Sequence, residues 1–341
     1  MSYDNLKLEK GMYRQEGMSF TQVLESLDPS ENYRGTALEG TDAFQRQLKR
    51  FGILAKGAGS SPVEKFFRTM DSSVLFPEYI ARTVRQGMEE NDLLPSIVAT
   101  TTTIDSMDYR SICSDASEED KALRDLIEGA VIPETQIKAK EHMISLHKRG
   151  RMLVASYEAI RFQKLDLFGV MLRQIGANIQ KMQLMDAVAV LVEGDGNDNP
   201  CQNYVLGTNV TEGTKNPMTY DQLVEFWGKF DPYTLNTILC STNTMAAMLK
   251  IPELQNPAAG LNFQGTGVMG TPLGAKVHRV SVLDDYVLLG LDNRYALEHV
   301  RCGDVLVEYD KLIDRQLERA AITSISGFGK ICTEASAVML A

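Results

Sequence analysis

The sequence predicts an α+β chain, on three observations. One sustained helical stripe runs through the middle of the chain, helices alternate with a buried strand after it, and strand-like runs dominate towards the C-terminus. With 341 residues, 44% of them hydrophobic, the chain can bury a substantial core and form more than one domain.

Roughly the first 70 residues read as short helices joined by flexible segments. Ser19-Phe20-Thr21-Gln22 forms a capping box ahead of Val23, Leu24 and Leu27, and Pro29 ends that helix. Thr41 or Asp42 caps a second helix carrying Phe44, Leu48 and Phe51, closed by Gly52. Lys56-Gly57-Ala58-Gly59-Ser60-Ser61 reads as a hinge, and Ser61-Pro62-Val63-Glu64 as a third start signal with proline at the first helical position. Such short helices need a partner surface, so residues 1–71 are read as an arm.

A stronger helix is expected from Phe76-Pro77, with Phe76, Ile80, Val84 and Met88 on one face and Leu94-Pro95 as its break. Residues 97–112, with four consecutive threonines, Val98, Ile104, Tyr109 and Ile112, read as strand. The acidic stretch 114–129 reads as a short surface helix. It is followed over 136–156 by an extended basic limb, and the two together suggest a projecting hairpin; a solvated charged face is the plain alternative. The long helix spans Asp166 to Glu193, with Phe168, Leu172, Ile175, Ile179, Met182, Met185, Ala189 and Val192 as its apolar stripe. At 1.5 Å per residue it would be about 42 Å long. Gly194-Asp195-Gly196-Asn197-Asp198-Asn199-Pro200 stops it. A capped helix over Thr219 to Phe230, a strand at Leu235 to Cys240, a helix from Thr242 to Leu249 and strands at 276–282, 286–291 and 305–309 complete the order.

The charge of -10 argues against a protein that coats nucleic acid with one broad basic surface, while leaving looser contact with packaged DNA open. The longest apolar run, Ala187 to Val192, is far short of the ~20 residues that span a bilayer, and the N-terminus has no signal core. The sequon at Asn209 therefore reads as chance. Five scattered cysteines, Cys113, Cys201, Cys240, Cys302 and Cys332, indicate buried thiols in a reduced compartment.

Catalytic motifs fail on context. Gly265-Thr266-Gly267-Val268-Met269-Gly270 fits GxGxxG but lacks the preceding strand and the following helix that would receive a pyrophosphate. Asp195-Gly196-Asn197-Asp198-Asn199 opens like a calcium loop, yet Pro200 and Leu206 stand where Gly and Glu are required. His142, His147, His278 and His299 show no metal spacing, and His142 and His147 would face opposite sides of an extended limb. No catalytic residue, metal or cofactor is expected.

In order, Ser73-Val74-Leu75-Phe76-Pro77-Glu78-Tyr79-Ile80, Ile132-Pro133-Glu134, the helix ending Leu191-Val192-Glu193-Gly194-Asp195-Gly196, Met269-Gly270-Thr271-Pro272-Leu273-Gly274 and Asp314 through Lys330 resemble tailed-bacteriophage major capsid proteins of the Hong Kong 97 type, from about residue 72 onwards. The resemblance implies an N-terminal arm or scaffold-like segment (1–71) and the start of a peripheral P-domain (72–113). It further implies an E-loop (114–152), the P-domain with its spine helix (153–196), an axial A-domain (197–290) and P-domain strands to the C-terminus (291–341). The function implied is self-assembly, through pentamers and hexamers, into an icosahedral phage head enclosing double-stranded DNA. A portal, a scaffold or a maturation protease would be its partners, and a membrane would not. Its place would be the virion capsid, with assembly in the host cytoplasm. A cellular nanocompartment shell is the second reading, and a soluble ligand-binding protein or enzyme the third. As subunit-interface candidates the E-loop offers the basic Lys138, Lys140, Lys148, Arg149 and Arg151 and the acidic Glu118, Glu119 and Asp120. The basic limb is expected to lie across an acidic surface of the adjacent subunit. In some members an E-loop lysine is cross-linked to a neighbour, a role open here to Lys138 or Lys140.

Overall fold

The structure is a computed structural model that describes residues 3–14, 18–90, 92–114, 125, 128, 137–205, 218–255, 272–285 and 287–340. In chain order the helices are α1 (Phe20–Leu27), α2 (Ala43–Arg50), α3 (Met70–Glu89), α4 (Tyr157–Phe162), α5 (Leu165–Glu193), α6 (Tyr220–Gly228) and α7 (Thr242–Met248). The strands are β1 (Thr100–Ile104), β2 (Ile112–Ser114), β3 (Ile137–Ala139), β4 (His147–Ser156), β5 (Gln202–Val205), β6 (Thr237–Cys240), β7 (Lys276–Arg279), β8 (Val287–Leu291), β9 (Leu297–Cys302), β10 (Leu306–Leu312), β11 (Leu317–Lys330) and β12 (Ser336–Leu340). They form two compact units. The first holds residues 1–92, 148–181 and 304–324, and the second 93–147, 182–303 and 325–341. Both α5 and β11 are long enough to serve two cores, and the division falls inside them.

In the first unit, β4, β11 and β10 form a sheet, with β10 antiparallel to the first half of β11 from Leu306 opposite Thr323 to Leu312 opposite Leu317. One face of that sheet sends Val307, Tyr309, Ala320 and Ile322 into a core shared with α3 and the start of α5. The capping boxes Ser19–Gln22 and Asp42–Gln45 start α1 and α2 as the sequence predicts. Three expectations are corrected here. First, α3 begins at Met70, not Phe76, because a Thr69–Ser72 box caps it and Pro77 is accommodated inside the helix. Beside that proline the Tyr13 hydroxyl accepts from the Glu78 N–H (3.1 Å) and donates to the Val74 carbonyl (2.8 Å), two groups spaced as a helical pair. Second, Ser61 does not cap a helix; Val63–Phe67 is one short 3₁₀ turn preceded by Pro62. Third, the arm does not wait for another molecule. Phe20, Leu24, Phe44, Leu48 and Phe66 share one core with Val74, Leu75, Phe76 and Tyr79 of α3. The fully buried Arg46 holds this segment together, donating to Asp28 (2.7 Å) and to the Asp28 and Thr41 carbonyls. A charge so buried is tolerated because its donors are met by a carboxylate and carbonyls.

Helices α3 and α5 meet backbone to backbone. A Cβ on Gly176 would fall on the Val84 carbonyl oxygen, and one on Gly87 would fall on the Arg173 backbone. Only glycine permits that approach.

In the second unit β1, β9 and the second half of β11 pair, β1–β9 parallel and β9–β11 antiparallel. A second sheet runs β5-β12-β8-β6-β7. Its strands alternate as the two-residue period requires: Leu288, Ile238, Cys240 and Met339 face α6 and α7, while Leu289, Leu291, Leu239 and Val338 share a core with Leu184, Ala187, Val188 and Leu191 of α5. Predicted positions for α6, β6 and α7 agree within three residues. Of the five cysteines, Cys201 and Cys240 are buried free thiols and Cys302 and Cys332 half-buried ones. Burial pushes the Cys240 thiol up to about 11.

The stripe expected on α5 is half right. Leu172 and Ile175 are buried, but Met182, Met185 and Ala189 face solvent, and Leu184, Ala187, Val188 and Leu191 take the core. The second half of this helix is apolar on both sides, so periodicity alone could not orient it.

Candidate assembly surfaces

The expected hairpin is present at its base. β2 and β3 pair antiparallel, Ile112 opposite Ala139 and Ser114 opposite Ile137. Residues directly opposite share a face, and here that face is apolar and open, with Ile112 and Ile137 both exposed. Lys138 stands exposed on the other face. Glu118, Glu119 and Asp120, like Ile132-Pro133-Glu134, the sequon and the GxGxxG motif, lie outside the described residues.

What fixes the hairpin base is a set of polar contacts within the second unit. The buried Glu298 carboxylate on β9 accepts from the hydroxyls of Thr102 (2.5 Å), Tyr109 (2.8 Å) and Ser111 (2.6 Å). Burial, with the hydrogen bond to Glu298 second, raises the Tyr109 phenol above its ordinary range. On the exit side, Lys140 is buried rather than free for a neighbour, which corrects its reading as a surface cation. Its ammonium lies 2.8 Å from Asp195 and also donates to the Lys330 carbonyl. Asp195 further accepts from the Lys330 N–H (2.9 Å) and from the Asn197 side chain (2.9 Å), and the His142 N–H donates to Asn197 (2.9 Å). Burial opposes ionisation of Asp195, but these donors outweigh it and its carboxyl sits below the usual range.

Lys330 completes the cluster. Its fully buried ammonium donates to the Leu191 carbonyl (3.0 Å) in the last turn of α5, where the helix dipole favours a cation. Burial still pushes it down to about 8. The segment after α5, which resembles a calcium loop in sequence, thus spends Asp195 on lysines, and Gly194 and Gly196 adopt the positive φ that ends the helix. Among the described residues no group of three or more His, Cys, Asp or Glu could hold a metal ion, and no helix is long and apolar enough to cross a membrane.

The remaining basic candidates stand on β4 in the first unit: Lys148 and Arg151 exposed, Arg149 half-buried. Leu153 and Ala155 pack on the core while Met152 and Val154 on the opposite face are exposed. The basic limb is therefore not one strand. It is broken between Ala139 and His147, with Ile144 buried and His142 in a bend, so the two histidines do not sit on one extended limb. Sequence reasoning missed Glu298, Lys330 and the outward face of α5; the visible signal was a lysine closing the apolar run of β11.

A family model described as "Phage capsid protein" matches residues 139–307. The fold is similar to that of a virus-like particle from Pyrococcus furiosus, at 13% identity and a TM-score of 0.51, covering 77% of this chain and 98% of that one. It is also similar to the capsid of the cyanophage P-SCSP1u, at 13% identity and a TM-score of 0.54, covering 72% and 86%. No curated protein matches the chain by sequence. Fold and family match together define a shell-forming protein that associates with copies of itself. More narrowly, the fold is of the Hong Kong 97 type, and the phage capsid protein family is matched over residues 139–307.

Proposed function

We propose that the shell is an icosahedral phage head built of pentamers and hexamers around double-stranded DNA, and that the subunit's role in it is structural rather than catalytic. The observation that carries the reading is a hairpin base held rigidly by Glu298, Lys140 and Asp195 while its apolar face, Ile112 and Ile137, stays open. A two-stranded ribbon is at best marginal alone in water, so such a face calls for cover by a neighbouring subunit. The exposed Lys138, Lys148 and Arg151 fit an acidic neighbouring surface, with Glu118, Glu119 and Asp120 as the acidic counterpart in the same loop. Single exposed pairs contribute about 0.2–1 kcal/mol, so repetition over the lattice supplies their effect. Portal, scaffold and maturation protease are the partners this reading calls for, with assembly in the host cytoplasm.

The test is negative-stain electron microscopy and size exclusion of the chain expressed alone, then of particles from phage-producing cells after nuclease treatment. Closed shells with protected double-stranded DNA are the expected result. Shells that enclose a protein cargo and no DNA would move the reading to a cellular compartment, and a stable monomer in both preparations would overturn it.

A further inference from the structure

We infer that the outward face of α5 is a two-fold contact between two copies of this chain, with their α5 helices antiparallel and centred on Asn178. The inference rests on the shell reading and adds which surface meets which.

Leu167, Met171, Gln174, Asn178, Met182 and Met185 are all exposed and recur at spacings of three or four, so they share one face of the helix. Leu167 and Met171 are each 57% exposed and Met185 40%. Among the exposed residues between positions 167 and 189, Lys181 alone is charged. A helix face turned permanently to water normally carries many charges, and one this apolar is covered in the working assembly.

The occupant follows from the symmetry of the face. Gln174 and Met182 stand four residues either side of Asn178, and Met171 and Met185 seven either side. A two-fold axis through Asn178 therefore sets Met171 against Met185 of the partner subunit, and the reverse, while the two Asn178 amides meet. A central polar pair of that kind fixes register. At the ends, Lys164 stands fourteen residues before Asn178 and Glu193 fifteen after it, so Lys164 falls within one residue of Glu193 of the partner subunit, twice over. Both residues are exposed, and the Lys164 ammonium makes one long contact, 3.4 Å to the Ala58 carbonyl. The antiparallel arrangement also opposes the helix dipoles favourably. A parallel pair in register would set Lys164 against Lys164 and Lys181 against Lys181 of the partner subunit. The contact is isologous, the type from which closed assemblies are built.

Cysteine cross-linking of the full chain tests this. Asn178→Cys, mildly oxidised, is expected to give a disulfide dimer on non-reducing gels about tenfold above the wild-type background, since residues on the axis come within disulfide reach. Met171→Cys and Met185→Cys should each stay at background alone and give the dimer when co-expressed. Absence of the Asn178→Cys dimer, or a Met171→Cys dimer as strong as the co-expressed pair, overturns the contact. Should Asn178→Cys melt far below the wild-type chain, the co-expressed pair decides. Particles without the dimer overturn the contact and leave the shell reading standing; no particles and no dimer overturn both.

Discussion

The Lys140 ammonium lies 2.8 Å from the Asp195 carboxylate with both side chains almost fully buried, so the hairpin exit is tied by charge to the turn that ends α5. Breaking one side of a buried pair leaves an uncompensated charge. Lys140→Met is expected to cost about 3 kcal/mol, read as a lower urea midpoint at an unchanged slope. Lys138→Met, on an exposed neighbouring position, should stay within about 0.5 kcal/mol of wild type. Equal midpoints for the two variants would show that the pair does not hold the hairpin base.

Lys330 sets an alkaline dependence. Its folded value, about 8, lies below its ordinary 10.5, so the unfolded chain holds the proton more tightly. The cost of burying the cation is fully present below pH 8 and is relieved as the pH rises from 8 towards 10.5. Raised thiols such as Cys201 and Cys240 pull the other way at the upper end. The measurement is therefore the difference between wild type and Lys330→Met: wild type should gain on the variant between pH 8 and 10, and a constant gap would refute the assignment.

His299 sets a dependence of the same sense at acid pH. It is stacked on Phe328 with ring centroids 4.8 Å apart, and its Nε2 has no hydrogen-bond partner among the described residues. Burial, then Arg301, pushes it down to about 4 from 6.5. Its neutral form contributes stability that is present above pH 6.5 and lost as the pH falls to 4, about 3 kcal/mol in all. His299→Phe should flatten that window in thermal melts between pH 7 and 4.

Gly176→Ala drives a methyl group into the Val84 carbonyl oxygen. Because the obstacle is backbone, α3 and α5 must part, and a loss of about 1–3 kcal/mol is expected. Gly59→Ala, which meets nothing within 4 Å among the described residues, is the control. Equal melting temperatures for the two variants would contradict the close approach.

Deleting residues 1–71 removes Phe20, Leu24, Phe44 and Phe66 from the core that covers α3. Each large buried apolar side chain contributes about 1.5–3 kcal/mol, more in sum than the net stability of a typical domain. The truncated chain is expected in the insoluble fraction, and a soluble truncation with a cooperative melt would show that the segment is dispensable.

What the sequence disclosed was mostly local. Ser19, Asp42 and Thr219 announced their helices through side chains reaching three residues ahead, and Gly194 to Pro200 announced the end of α5. Resemblance supplied the order of the larger parts. Long-range choices stayed hidden: nothing local says that Tyr13 seats itself beside Pro77, that Lys140 seeks Asp195, or which side of a helix with apolar residues on both faces turns inward. Arg46 and Lys330 show the same limit, since an internal cation is recognised only through the carbonyls around it.

Neither unit is a continuous stretch of sequence. The backbone passes from one to the other at 92/93, 147/148, 181/182, 303/304 and 324/325. A ribosome releases the chain from its beginning, so the first unit lacks its final strand segment until residue 324 has emerged, and the second until residue 341. For most of its synthesis the nascent chain therefore holds two unfinished cores at once. The two cores close in order, the first with residues 304–324 and the second with residues 325–341.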